Sequence, residues 1–213
     1  MADAPAPLAA VAADALALGT ATLGESGARR MHPRVKPVWT GARVAGPAYP
    51  VRCSPGDNLA IHVAVTRAPA GCVLVADMGG ERDFGYWGEV LTTGAEARGI
   101  VGLVIDACVR DCDALAAHGF PVFSTGLALT GASKAQLGAI NRTVTAGDVT
   151  VEPGDWIVGD VDGVVVVPGD VLDDVLAAGH ARAAREAALF DVLREGGTTV
   201  EAFGLDTTLV DGA

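Results

Sequence analysis

Arg110 and Asp111 are neighbouring residues whose side chains suit the chemistry of small acids. An arginine presents a planar fork of N–H donors that fits a carboxylate or a developing enolate. An aspartate offers hard oxygen ligands for Mg²⁺ or Mn²⁺. Glu89 precedes Arg110 by twenty intervening residues and could share the same metal, directly or through water. The three residue types therefore predict a metal-assisted site for a carboxylate ligand.

A strand-helix-strand pattern surrounds these residues. The apolar run Val73–Ala76 is typical of a buried strand, and a glycine-rich loop separates it from a predicted helix at about Trp87–Arg98. Gly99 ends that helix, and Val101–Ile105 is a second buried strand. This order predicts a right-handed parallel crossover.

Two loops are expected to meet at the edge of this predicted sheet. Asp77–Gly80 and Asp106–Asp111 both follow strands, and ligands of parallel α/β units bind beyond the carboxyl ends of the strands. The helix that follows the first loop would offer the free amides of its opening turn, near Glu89, Val90 and Leu91, to a carboxylate.

The rest of the chain supports an α/β fold class. A helix near Asp111–Ala117 and a strand at Pro121–Phe123 continue the pattern. Asn141–Val151 and Trp156–Val167 are β-rich and indicate hairpins, with a turn at Asp160–Gly163. Asp170–Glu195 has the apolar spacing of a long terminal helix. No element is assigned to Gly24–Pro50, where glycine, proline and arginine mix with short apolar runs. We find no linker, so the chain is interpreted as one domain, residues 1–213.

Composition narrows the class of ligand. The formal net charge is −11 and aromatic residues make up 5% of the chain, which leaves no basic patch or stacking platform for nucleic acid.

Met1–Leu18 carries two aspartates and no basic opening, so we interpret it as a helix rather than a signal peptide. No later segment has the roughly 18 apolar residues of a membrane span. The four cysteines lack zinc-ribbon spacing and are expected to be reduced in a cytoplasmic protein.

Several patterns are absent. The glycines do not form a dinucleotide-binding or P-loop motif, the four histidines form no H-x-x-x-H pair, and there is no G-x-S-x-G elbow.

Lys36 and Lys134 are the only lysines beside thirteen arginines. Lys134 could neutralise a substrate carboxylate, form a Schiff base, or be an ordinary surface residue. Taken singly, the Arg-Asp pair also fits a solvated turn, and Glu89 fits a charge at the start of a helix.

Long runs of the sequence resemble the 4-hydroxy-4-methyl-2-oxoglutarate/4-carboxy-4-hydroxy-2-oxoadipate aldolases, a family that also includes the regulators of ribonuclease E activity. The resemblance covers about residues 15–195, with Glu89 and Arg110-Asp111 at the family's spacing, although family aldolases commonly have aspartate at position 89. It is carried by five segments: Arg34–Ala48, Pro55–His62, Trp87–Leu91, Gly102–Asp111 and Gly154–Pro168.

The resemblance implies a role for each candidate residue. Asp111 would bind Mg²⁺ or Mn²⁺, and Glu89 would hold waters of that metal. Glu186, from the terminal helix of a neighbouring subunit, would complete the site through water. Arg110 and Lys134 would act on the 2-oxo acid, whose carboxylate would lie against the backbone of Gly88, Val90 and Leu91. The implied fold is the swivelling β/β/α domain with N- and C-terminal helices, assembled as a homotrimer or homohexamer.

The implied activity is a metal-dependent aldolase that releases pyruvate from a 4-hydroxy-2-oxo diacid, with oxaloacetate decarboxylation in the same site. Three alternatives remain open. One is a non-catalytic regulator that binds a ribonuclease, and another is a Schiff-base aldolase acting through Lys134. The third is a lyase recruited to a different 2-oxo acid, for which the loop Glu81–Tyr86 is the expected place of change.

Overall fold

A computed structural model of the chain describes residues 6–211. The strands in this range are β1 (Arg29–Arg30), β2 (Lys36–Pro37), β3 (Val44–Arg52), β4 (Val73–Asp77), β5 (Gly102–Ile105), β6 (Cys108–Val109), β7 (Val122–Ser124), β8 (Gly126–Leu127), β9 (Ala139–Ile140), β10 (Val144–Ala146), β11 (Val149–Val151), β12 (Trp156–Asp160) and β13 (Gly163–Val167). The helices are α1 (Ala6–Gly24), α2 (Leu59–Arg67), α3 (Glu89–Glu96), α4 (Cys112–His118), α5 (Leu172–Arg194), α6 (Thr199–Phe203) and α7 (Thr208–Asp211).

The main sheet is mixed. Its strand order is β1-β13-β12-β3-β4-β5-β7-β2, with β9 also paired to β3. The pairs β3·β4, β4·β5 and β5·β7 are parallel, whereas β12 runs antiparallel to both β3 and β13. The predicted parallel crossover is confirmed as β4-α3-β5, and the predicted hairpins are confirmed as β10-β11 and β12-β13.

Strand β3 is a central element that was not predicted from the sequence. Its first half pairs with β12 and its second half with β4, so it joins the antiparallel and parallel parts of the sheet. Pro47 and Pro50 argue against a central strand because proline supplies no N–H to the ladder. Burial of most of this strand, including Val44 and Val51, outweighs those lost bonds.

Alternating side chains of the parallel strands contribute to two apolar cores, one on each face of the sheet. Leu74, Leu103 and Val122 pack with α2, α3 and α4 on one face. Val73, Val104 and Phe123 lie on the other face with the hairpins β10-β11 and β12-β13. A third cluster lies beneath α1 and α5. Helices α2 and α3, on the first face, begin at the carboxyl edge of the parallel strands.

Helix α1 covers part of the predicted N-terminal helix; Met1–Pro5 lie outside the described residues. By length and composition the segment Pro7–Gly24 could also cross a membrane. Its backbone leaves the helical conformation at Gly19 (φ 79°), and Thr20 beyond it is bonded to Asp160 of β12. Ala15 and Leu23 are fully buried. Helix α1 therefore packs against the main sheet of its own chain.

The predicted terminal helix is confirmed as α5, which follows a 3₁₀ turn at Gly169–Val171 and ends before Gly196.

The cysteines are free thiols, and burial raises the pKa of Cys53 and of Cys72 to about 12. Cys108 and Cys112 are only partly buried.

Candidate active site

A cavity of about 340 Å³ lies where four segments meet at the carboxyl edge of the parallel strands. One wall comes from the start of α2 and another from Gly85–Leu91, which leads into α3. The third contributor is Arg110-Asp111 after β6, and the fourth is the loop Gly131–Lys134. The structure therefore brings the candidate residues Gly88, Val90, Leu91, Arg110, Asp111 and Lys134 to one cavity, and their roles there stay a prediction.

Arg110 and Asp111 are aligned with the start of α3 by the backbone. Tyr86 N donates to Cys108 O (3.2 Å), and Arg110 N donates to Trp87 O (2.9 Å). These bonds put the Asp111 carboxylate at the first turn of α3, where Glu89 N donates to its Oδ2 (3.1 Å). Arg110 Nε lies 3.7 Å from the same oxygen. One carboxylate and one guanidinium thus face the cavity side by side.

Asp111 has an unusual backbone conformation, with φ 59° and ψ 37°. This left-handed region is costly for most residues but is visited by aspartate and asparagine. Asp111 occupies the N-cap position of α4, yet its side chain caps α3 instead. The conformation therefore turns the carboxylate away from its own helix and towards the cavity.

Gly88 leaves room for this arrangement. Its φ of −164° is open to any residue, so the constraint is space rather than backbone conformation. A Cβ added at Gly88 would lie 2.2 Å from Asp111 Oδ2 and 3.2 Å from Arg110 Cγ. The helix was predicted to begin near Trp87; it begins at Glu89 because Gly88 is extended.

The opening turn of α3 provides an anion site. The amides of Val90 and Leu91 belong to the first turn and have no carbonyl of their own helix to bond. Both residues border the cavity, and the positive end of the helix dipole favours a carboxylate there. Val90 is 80% exposed, so the rim is open to a ligand.

Glu89 contributes its backbone, not its side chain, to the contacts with Asp111. The Glu89 side chain is 58% exposed, and its Oε1 lies 3.7 Å from His118 Nε2. His118 is itself bonded through Nδ1 to Glu96 (2.8 Å), and this hydrogen bond raises its pKa. The role of Glu89 in holding metal waters stays a prediction.

Glu186 lies apart from this cavity in its own chain. It borders a separate groove between α5 and α6 and pairs with Arg182 (2.8 Å). The predicted contribution of Glu186 requires a neighbouring copy of the chain, and it too stays a prediction.

Lys134 is exposed and borders the cavity on a loop that Asp57 holds in place. Asp57 Oδ2 accepts hydrogen bonds from Ser133 Oγ (2.6 Å), Ala135 N (2.6 Å) and Gln136 N (3.2 Å). Burial alone would raise the pKa of Asp57, but these bonds outweigh it and lower the pKa to about 2. This role of Asp57 was not predicted from the sequence, because Asp57 lies 77 positions before Lys134.

Removing the Asp57 charge is expected to destabilise the fold and flatten its acid response. Because its folded pKa is depressed, the ionised carboxylate contributes stability above its ordinary pKa of 3.8, and that contribution is lost as pH falls towards 2. Asp57→Asn should cost about 1–3 kcal/mol near neutral pH. Thermal unfolding at a series of pH values measures this, with the exposed Asp83→Asn as control. Equal acid sensitivity of wild type and Asp57→Asn would contradict the role.

A second carboxylate, the partly buried Asp106, connects the loop after β5 to the opposite side of the sheet. It accepts hydrogen bonds from Arg34 (2.8 Å), Arg82 (3.1 Å) and Gly147 N (3.0 Å). Burial opposes ionisation, but the hydrogen bonds from Arg34 and Arg82 outweigh it and hold the pKa of Asp106 well below its usual range. Asp106 therefore braces the loop that carries Arg110 and Asp111.

Asn58 and His62 also border the cavity, and the sequence analysis assigned them no role. Both belong to Pro55–His62, one of the segments that carried the family resemblance. Their spacing of four residues, which puts two side chains on one face of a helix, was the available signal. It was missed because α2 itself was not predicted.

The donor set fits a hydrated divalent metal. Within residues 6–211 no group of three or more His, Cys, Asp or Glu side chains forms a closed metal cage. Mg²⁺ does not need one, because it usually keeps several waters and binds through one or two carboxylates. Asp111, with 41% of its side chain exposed at the cavity, offers one such carboxylate.

Three comparisons with known proteins agree on a family. The family model described as RraA-like, Aldolase/RraA, matches residues 9–166. A Halalkalibacterium halodurans protein named "Putative 4-hydroxy-4-methyl-2-oxoglutarate aldolase" is 37% identical over 161 residues, which are 74% of this chain and 77% of that protein.

Solved structures share the whole fold. An uncharacterized protein from Pseudomonas syringae pv. tomato is 29% identical with a TM-score of 0.83, over 95% of this chain and 96% of that one. A Streptomyces coelicolor protein described as an unusual member of the RNase ES inhibitor RraA family is 29% identical with a TM-score of 0.68, over 82% of this chain and 90% of that one.

Proposed function

Since this chain belongs to the RraA-like, or Aldolase/RraA, family, we propose that it is a divalent-metal-dependent lyase that cleaves a 4-hydroxy-2-oxo diacid and releases pyruvate. The aldolase names of its relatives support the reaction class. The observation that carries the proposal is the pairing of Arg110 and Asp111 beside the free amides at the start of α3. The left-handed backbone of Asp111 turns its carboxylate into this cavity, where a metal could bind it.

The binding step follows from these groups. Asp111 would hold Mg²⁺ or Mn²⁺ together with water molecules. When bound, such a metal acts as a Lewis acid that polarises the 2-oxo group and favours the enolate of pyruvate. The amides of Val90 and Leu91, with the Gly88 backbone beside them, would hold the 1-carboxylate at the positive end of α3.

Arg110 supplies the second positive charge. Its guanidinium adjoins the carboxylate of Asp111 and borders the same cavity, so it can donate hydrogen bonds to the 2-oxo and carboxylate oxygens. Negative charge that develops on these oxygens as the C3–C4 bond breaks is stabilised by the same donors. Lys134 would neutralise a carboxylate at the other end of the substrate.

Cleavage also needs a base. A water held by Glu89, or by Glu186 of a neighbouring copy, would take the proton of the C4 hydroxyl while the C3–C4 electron pair passes into the enolate. A proton from water then returns to C3 and yields pyruvate. Oxaloacetate decarboxylation forms the same enolate with loss of CO₂ and needs no hydroxyl base.

Assembly is part of the proposal. In one chain Asp111 is the carboxylate that borders the described cavity, and Glu186 lies elsewhere. A homotrimer or homohexamer that brings Glu186 of one copy to the cavity of the next would complete the acid set. We further propose a cytoplasmic location, where free thiols are stable.

Metal removal tests the mechanism against its Schiff-base rival. Excess EDTA should abolish pyruvate release from 4-hydroxy-4-methyl-2-oxoglutarate and from oxaloacetate, and Mg²⁺ or Mn²⁺ should restore it. Borohydride added with pyruvate should leave the mass of the chain unchanged. Activity that survives EDTA, together with a covalent adduct at Lys134, would overturn the metal mechanism in favour of the Schiff base.

The alternative function is regulation of a ribonuclease, favoured by the likeness to the Streptomyces coelicolor protein. A pull-down with purified ribonuclease, run beside the pyruvate-release assay, distinguishes the two functions. Capture of the ribonuclease without turnover of any 2-oxo acid in the presence of metal would favour the regulator.

A further inference from the structure

Two side chains at the start of α2 form a polar corner of the cavity. Asn58 immediately precedes α2, and His62 N donates to Asn58 O (3.3 Å), so the two side chains lie one turn apart on the same face. Asn58 is 5% exposed, His62 is partly buried, and both border the cavity together with Lys134. Neither Asn58 nor His62 has a role in the proposed function.

The amide of Asn58 is held in one orientation. Its Nδ2 donates to Tyr86 O (2.7 Å), and its backbone N donates to Ser133 O (2.9 Å). The opposite atom, Oδ1, is buried and has no hydrogen-bond partner among the described residues. An amide oxygen can only accept, so Oδ1 calls for a molecule that donates a hydrogen.

His62 presents a second unpaired atom. Its Nε2 is also buried without a partner among residues 6–211. Burial and the neighbouring charge of Lys134 lower the pKa of His62, so its ring is neutral at neutral pH and carries one N–H. A buried polar atom left unpaired is costly, and two of them beside one cavity point to a bound molecule.

A water molecule fits both atoms. Side chains one helical turn apart have Cβ atoms about 5–6 Å from each other, a span that a single water can bridge. This water would donate one hydrogen to Asn58 Oδ1 and accept from His62 Nε2–H. Its second hydrogen is then free to point into the cavity.

The corner belongs to the wall of the cavity that the proposed function leaves unused. There the 1-carboxylate lies at the start of α3, the 2-oxo group lies at Arg110, and the distal carboxylate lies at Lys134. These anchors use three of the four segments that border the cavity, so the start of α2 is the remaining wall around C3 of the substrate.

We propose that Asn58 and His62 hold the water that protonates C3 of the pyruvate enolate. This inference rests on the proposed function and deepens it by assigning the proton source of its last step. The enolate electron pair forms the new C3–H bond as an O–H bond of the water breaks. The hydroxide left behind keeps the hydrogen bond from His62 Nε2–H and is stabilised by the nearby charge of Lys134.

The protons balance over the cycle. The proton taken from the C4 hydroxyl returns through solvent to the hydroxide, so the cleavage gains and loses none. Asn58 and His62 act through the water and are therefore positioning residues. The water at this corner is distinct from the water that serves as base for the C4 hydroxyl.

Two rates measured on the Mg²⁺-loaded protein test the role of His62. Exchange of the pyruvate methyl hydrogens in D₂O, followed by NMR, requires proton transfer at C3, whereas CO₂ release from oxaloacetate forms the enolate without it. His62→Leu removes the donor and should lower exchange about 100-fold more than CO₂ release. His62→Gln, whose amide N–H can hold the water, should recover most of this loss. Arg67→Gln, at the exposed end of the same helix, should match wild type.

Two kinetic results would overturn the proposal. An equal loss of exchange and of CO₂ release in His62→Leu would show that His62 supports the site as a whole and not the C3 step. Exchange in His62→Gln as slow as in His62→Leu would show that the imidazole ring is required, rather than a water held by any N–H donor.

A high-resolution crystal structure of the Mg²⁺-loaded wild type tests the water directly. We expect a water within hydrogen-bond distance of both Asn58 Oδ1 and His62 Nε2, and its absence would overturn the proposal even if His62→Leu does not fold. Pyruvate exchange needs no cleavage substrate, so loss of diacid cleavage with the water and exchange intact would contradict the proposed function alone. A bound water without any exchange in wild type would overturn the role at C3.

Discussion

Asp111→Asn is expected to lose pyruvate-releasing activity by about a thousandfold, because several kcal/mol of charge stabilisation disappear with the metal ligand. Asparagine also tolerates the left-handed backbone of this position, and its amide oxygen can still accept from Glu89 N. The fold and the start of α3 should therefore survive. Asp111→Ala should be at least as inactive, with some loss of stability from the strained backbone.

Steady-state pyruvate release with Mg²⁺ or Mn²⁺, together with Mn²⁺ affinity by calorimetry, measures the effect. Asp113→Asn is a matched control, because Asp113 is an exposed carboxylate two residues further along that does not border the cavity. Both kcat and metal affinity should fall in Asp111→Asn alone. Retention of wild-type Mn²⁺ affinity by Asp111→Asn would show that the metal binds elsewhere.

Gly88→Ala is expected to lower kcat/KM by about a hundredfold or more, although it adds a single methyl group. Its Cβ would lie 2.2 Å from Asp111 Oδ2, a separation that atoms cannot hold, so the carboxylate or the start of α3 must move. Displacement of reacting groups by about 1 Å typically costs about 100-fold in rate. Gly88 borders the cavity and the groups that must move belong to the site, so the main loss should be in activity.

Gly94→Ala, in the same helix, is the control for this change. The new Cβ there would lie 3.4 Å from Val65 Cγ1, which is ordinary contact, and alanine favours a helix over glycine by up to about 1 kcal/mol. Gly94→Ala should keep full activity and unfold at an equal or higher temperature. A Gly88→Ala enzyme with wild-type kcat/KM would mean that Asp111 and Arg110 do not work in the observed arrangement.

Local sequence pattern was sufficient to predict the central strand-helix-strand unit of the fold. The apolar runs at Val73–Ala76 and Val101–Ile105 and the terminator Gly99 predicted β4-α3-β5, and the structure confirms that unit. It was insufficient for β3 and α2. β3 contains two prolines that argue against a central strand, and α2 (Leu59–Arg67) is short and rich in β-branched residues. Tertiary packing overrides both local preferences.

The candidate site likewise contains some residues that could be predicted from the sequence and others that could not. Arg110, Asp111 and the α3 amides could be predicted, because each follows a recognisable strand or opens a recognisable helix. Asn58, His62 and Asp57 could not be assigned roles, because they interact with Tyr86, Lys134 and Ser133, which lie far along the chain. The Glu89 carboxylate lies beside His118, a contact made by the packing of α3 against α4.

The α/β class, the parallel crossover and the Arg110-Asp111 pair at a strand end follow from the sequence alone, because they depend on periodicity and on neighbours in the chain. Three features follow from tertiary packing: Asp111 adopts a left-handed conformation and caps α3, Gly88 must lack a side chain, and Asn58 and His62 border the same cavity. These features depend on distances between residues 22 or more positions apart. Such distances are set by how sheet and helices pack together, which no local pattern encodes.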